Sequence, residues 1–224
     1  MSNTDSFIDE VNEEVRRDRV YALVRKYGWI AVLLILLIVG GAAFNEYRQA
    51  QDRAQAEALG DAMLAALETD DPAARADALS AVTAETPEGE AVLAFLTAGE
   101  QAGSNPEAAA QALESIVASS ELPQIYRQLA SFKALTLSSG LRTVEERRAG
   151  FEDLAAPGNP MRTLAEEQLA LIDIEEGQKR AAIERLQSLI ADAEATADLQ
   201  QRALQVIVAL GGEPDLSGLV PRSN

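Results

Sequence analysis

The order of apolar and polar positions divides the chain into three stretches. Near the start, Phe7, Ile8, Val11 and Val15 fall at helical spacing, and the pattern runs on less regularly through Val20, Leu23 and Val24. Ser6 with Asp9 three positions later makes a start like a capping box, with Asp in place of the usual Glu. From Trp29 to Phe44 no residue carries a charge, and Tyr27 and Gly28 extend this run to 18 positions. At 1.5 Å per residue it reaches ~27 Å, close to the ~30 Å of a bilayer's hydrocarbon. Beyond it, helical periodicity continues to about residue 211, broken at Gly and Pro.

The third stretch repeats. Leu59-Gly60, Leu93-Ala94, Leu129-Ala130 and Leu164-Ala165 each join a large apolar residue to a very small one, at spacings of 34, 36 and 35 residues. Each pair is expected early in a helix, with a further apolar residue five positions on: Leu64, Ala98, Ala134 and Leu169. Pro87, Pro123 and Pro157 keep step, 28, 30 and 28 residues after their leucines. A second helix fits between leucine and proline, as in PEAAAQALESIVAS, TVEERRAGFEDLAA and, without a closing proline, KRAAIERLQSLIADA. Two helices per ~34 residues mark a tetratricopeptide-type (TPR) solenoid. The small residue would let paired helices approach closely. No unit carries the tryptophan and tyrosine of the full consensus, so the expected fold is all-α: one transmembrane helix followed by a TPR-like helical-hairpin solenoid. In the last helix Gln200 stands where the small residue belongs, as a terminal unit permits.

The apolar run reads as a retained signal anchor. It exceeds the 7–15 residues of a cleaved signal's core, and a long charged segment precedes it. Tyr27, Trp29, Phe44 and Tyr47 bracket it where interfacial aromatics belong. Arg16, Arg17, Arg19, Arg25 and Lys26 crowd its near side, which sets the N-terminus in the cytoplasm and the larger part across the membrane, in the periplasm of a bacterial inner membrane. The expected divisions are a cytoplasmic amphipathic segment (1–26), the transmembrane helix (27–45), a TPR-like periplasmic domain (46–211) and a flexible tail (212–224). The first segment would lie in the interface, dock on a partner, or stay solvated. Gly40 and Gly41 would admit a partner helix, unless they are ordinary span composition.

Composition narrows the functions. The net charge of −17 falls almost wholly beyond the run, which disfavours nucleic acid and anionic lipid surfaces as partners. With no cysteine and no histidine, thiolate or imidazole metal sites and His-dependent nucleophilic catalysis are absent. No phosphate-binding or nucleophile-elbow motif occurs. Adjacent acids such as Glu166-Glu167 and Glu175-Glu176 point ~100° apart on a helix and read as solvated faces rather than an acid–base couple. A binding protein without cofactor or metal is expected, not an enzyme. Arg127, Phe132 and Lys133, on a first helix of the third unit, would line the solenoid's concave groove, unless they are ordinary surface and core.

Taken together, FIDEVNEEVRRDR, the single span running into EYRQAQ and the acidic TPR-like body resemble the YfgM family. The resemblance implies an ancillary subunit of the Sec translocon that links it to periplasmic chaperones and emerging unfolded polypeptides. No binding residue of that family carries over. An accessory or assembly subunit of a respiratory or other envelope complex is the alternative.

Overall fold

A computed structural model describes residues 3–215, with side chains for 25–27, 29–30 and 33–215. The apolar stripe of residues 7–24 and the charges Arg16, Arg17 and Arg19 lie outside the described side chains. Every regular element among the described residues is a helix. In order they are α1 (Asn3–Leu67), α2 (Pro72–Ser80), α3 (Pro87–Gln101), α4 (Pro106–Ala118), α5 (Gln124–Leu137), α6 (Val144–Leu154), α7 (Arg162–Glu175), α8 (Lys179–Ile190) and α9 (Ala197–Ala209). The chain forms two compact units, residues 1–58 and 59–224, and α1 runs through the boundary.

In the first unit the large apolar side chains of the central run are exposed. Those described from Tyr27 to Tyr47 are 43–67% exposed, and the consecutive residues Leu33 to Val39 point in every direction around the helix axis. Among the described residues no helix is long and apolar enough to cross a membrane.

In the second unit, breaks and caps set the helices. Asp71, Thr86 and Asn105 accept from the N–H three residues on, at 3.0, 3.1 and 3.2 Å, and a proline follows each at the first helical position. Thr143 and Glu146 form a reciprocal capping box at α6, and Thr196 caps α9. The repeating prolines fall at starts: Pro87 opens α3, Pro123 immediately precedes α5, and Pro157 lies in the turn before α7. Each expected second helix appears, as α4, α6 and α8.

Packing runs along the sequence, with α2 on α3, α3 on α4 and so on to α8 on α9. Four apolar clusters succeed one another, each made by three consecutive helices. Met63, Ala66, Leu79 and Leu93 join α1, α2 and α3. Ala98, Leu113 and Ala130 represent the α3–α4–α5 cluster, and Leu135, Phe151 and Leu169 the α5–α6–α7 cluster. Ala170, Leu186 and Ile207 represent the last, from α7 to α9. The odd-numbered helices α3, α5 and α7 each serve two clusters, so the core is a series rather than one centre.

The small positions behave unequally. Ala130 and Ala165 are fully buried, and Ala94 packs against its cluster half-buried. Gly60 does not follow: a Cβ there would meet nothing within 4 Å. Nor does Leu59-Gly60 sit early in a helix, since α1 continues unbroken to Leu67, and Leu64 is exposed. Close approach occurs instead at Gly89, where a Cβ would lie 2.9 Å from Ala84 Cβ and Leu59 Cδ2, and at Gly150, 2.7 Å from both Leu135 methyls.

Candidate protein-interaction surface

The densest chemistry joins α6, α7, α8 and α9. Asp173 lies on α7 four residues after buried Leu169, so the helical repeat carries its carboxylate inward, and it is 2% exposed. It accepts from Arg148 Nη2 of α6 at 2.8 Å and from Arg185 Nε of α8 at 3.2 Å. Arg148 also reaches Glu176 at 2.7 Å, and Arg185 reaches Glu166 at 2.6 Å. Burial alone would lower the pKa of both guanidiniums, but the bonds to these carboxylates outweigh it and the net shift is upward. Arg147 Nη2 meets both Glu175 oxygens, at 2.6 and 2.7 Å. Arg162, at the start of α7, takes Asp192 in a two-pronged bond of 2.7 and 3.0 Å and also Glu194. Arg162 holds the Asp192 carboxyl below its usual range, helped by the Glu194 N–H. Arg202 of α9 clasps Glu167 at 2.8 Å through each of two nitrogens.

The acid pairs Glu166-Glu167 and Glu175-Glu176 are therefore not merely solvated. Each member faces an arginine of another helix: Glu166 and Glu167 diverge to Arg185 of α8 and Arg202 of α9, whereas Glu175 and Glu176 both meet α6, at Arg147 and Arg148. An open cleft of about 440 Å³ lies between α7 and α8, lined by Arg162, Glu166, Arg185, Asp192, Leu189 and Ser188 among others. Its charges are already partnered by one another. Among the described residues, no three carboxylates gather where they could hold a metal ion.

The residues singled out from sequence do not form one site. Tyr27, Trp29, Phe44 and Tyr47 are exposed on α1, with Lys26 Nζ 5.4 Å from the Tyr27 ring and the Arg48 guanidinium 5.5 Å from the Phe44 ring. Arg25 and Lys26 are exposed as well. A Cβ at Gly40 or Gly41 would meet nothing within 4 Å, so that face is open. On α5, Arg127, Phe132 and Lys133 lie roughly 100–140° apart around the axis and do not converge. Phe132 packs edge-on against Phe151 with ring centres 5.8 Å apart, and Lys133 is exposed. Arg127 is half-buried and its Nε has no partner. Every other arginine from residue 59 to 215 meets a carboxylate.

Sequence reasoning missed the arginine–carboxylate lattice and one further contact. Gln187 of α8 binds the backbone of Asp215, in the part of the chain expected to be a flexible tail. The lattice did leave one signal: Glu167 and Arg202 are 35 residues apart, one repeat period. Comparison with known protein families, with curated proteins and with solved structures finds no match.

Proposed function

We propose that the chain is a non-enzymatic, membrane-anchored adaptor. Residues 27–45 cross the bacterial inner membrane with the N-terminus in the cytoplasm, and a TPR-like domain in the periplasm binds polypeptides. On this reading it is an ancillary subunit of the Sec translocon that passes emerging chains to periplasmic chaperones. One observation carries the proposal: the large apolar side chains of Leu33 to Val39 are exposed on all sides of α1. A stripe would call for a partner helix, whereas apolar surface all round calls for hydrocarbon. The serial core and the period of the helices support the repeat reading. The translocon as partner rests on the likeness to the YfgM family.

Photo-crosslinking in cells from positions 36–43 tests the partner, and capture of a translocon subunit is expected. Co-purification of a stoichiometric oxidase or reductase in its place makes the chain an accessory subunit of that complex. Protease added to spheroplasts is expected to remove a C-terminal tag. A tag cleaved only after lysis refutes the topology.

A further inference from the structure

The chain beyond α9 folds back on the last two helices. The N–H groups of Gly211 and Gly212 bond to the carbonyls of Val208 and Ile207, at 2.8 and 2.9 Å, which ends α9 with Gly211 at φ +71°. A Cβ on Gly212 would lie 3.0 Å from Ile207 Cγ2 and 3.1 Å from Ile183 Cδ1, so the backbone here rests directly on α9 and α8. Three residues further on, the Asp215 N–H donates to Gln187 Oε1 at 2.9 Å, and Gln187 Nε2 donates to the Asp215 carbonyl at 2.7 Å.

Gln187 thus satisfies both backbone groups of one residue, as an adjoining β-strand would. Recognition of this kind reads main chain and ignores side chains. Gln187 is not needed for the core, since the inner face of α8 is Ala182, Leu186, Leu189 and Ile190. Ile183 lies one turn away on the same face and supplies the apolar floor.

We propose that Ile183 and Gln187 of α8, with Ile207 of α9, form a binding site for an extended polypeptide backbone. The chain's own Gly212–Asp215 segment occupies it as a strap, and the same sequence supplied from outside takes its place when the strap is removed. This deepens the polypeptide-binding reading by giving it one site and one mode of control. A two-residue link from α9 keeps the strap at millimolar effective concentration or above, so a weak external segment is excluded until the strap lifts.

The probe is a fluorescent peptide of residues 212–216, titrated by anisotropy against three forms of the protein in micelles. The intact chain is expected to bind weakly. A chain ending at Gly211, which keeps the Gly211–Val208 bond at the end of α9, is expected to bind roughly threefold tighter or better. Adding Gln187→Ala to the shortened chain is expected to abolish the gain. Equal binding by intact and shortened chains, or by the shortened chain with and without Gln187, overturns the proposal. Hydrogen exchange at the Asp215 amide gives an independent reading. Protection in the intact chain that Gln187→Ala removes is expected, and an unprotected amide overturns the strap. Neither measurement involves the membrane or the translocon, so failure here is distinct from failure of the crosslinking test.

Discussion

Replacing Asp173 with Ala tests whether the α6–α7–α8 joint depends on its buried carboxylate. The side chain is 3% exposed and holds two guanidiniums, Arg148 at 2.8 Å and Arg185 at 3.2 Å. Removing one partner of a buried ion pair costs about 3–5 kcal/mol, because the other charge is left without compensation. Here both arginines remain partly exposed, at 23% and 30%, and each keeps a second carboxylate, Glu176 or Glu166. That solvent and those partners bring the expected loss down to about 2–3 kcal/mol. For a unit of this size the unfolding midpoint should fall by roughly 5–10 °C. Urea and thermal unfolding followed by circular dichroism measure it. Arg180→Ala is the control: its pair with Glu184 is 94% and 67% exposed, and the midpoint should not move. An Asp173→Ala midpoint indistinguishable from the parent would refute the reasoning.

Three further outcomes follow from the geometry. Gly60→Ala should stabilise by about 0.5–1 kcal/mol, because its Cβ meets open space in a helix, whereas Gly150→Ala should destabilise by about 1 kcal/mol as its Cβ strikes Leu135; chemical denaturation reads both. Because the Asp192 carboxyl is held low in the fold, it contributes stability above its unfolded pKa and loses it as pH falls through the folded one. Asp192→Asn should therefore flatten the decline in stability below about pH 4, read from unfolding midpoints across an acid series. Arg127→Gln should raise stability by about 0.5 kcal/mol in thermal unfolding, since it removes a cation from the first turn of α5 and an unpartnered buried Nε.

Helix order was legible because its signals are local. Apolar periodicity and the prolines that open or precede α3 and α5 are written within a few residues of the elements they set. The period of the leucines exposed the hairpin rhythm, but not which small residue was tight. Gly89 is crowded by Leu59 and Gly150 by Leu135, and contacts between residues 30 and 15 positions apart leave no local mark. Leu59-Gly60 was misplaced because a single glycine does not stop a helix, and no proline stands between Phe44 and Leu67. Acid pairs such as Glu175-Glu176 look solvated when their own helix alone is considered. Their arginines, Arg147 and Arg148, stand 28 residues earlier on another helix, out of step with the repeat. The Gln187 contact had no sequence signal, since a side-chain amide that binds main chain needs no particular residue opposite it.

The serial core has an evolutionary consequence. Because each apolar cluster closes over three consecutive helices and shares odd-numbered helices with its neighbours, a two-helix module can be gained or lost only where α3, α5 and α7 can stand in for one another. Where they can, duplication of a two-helix module would lengthen the protein without redesigning its interior. The terminal pair α8–α9 is the exception, because the returning strap ties those two helices to the residues that follow them.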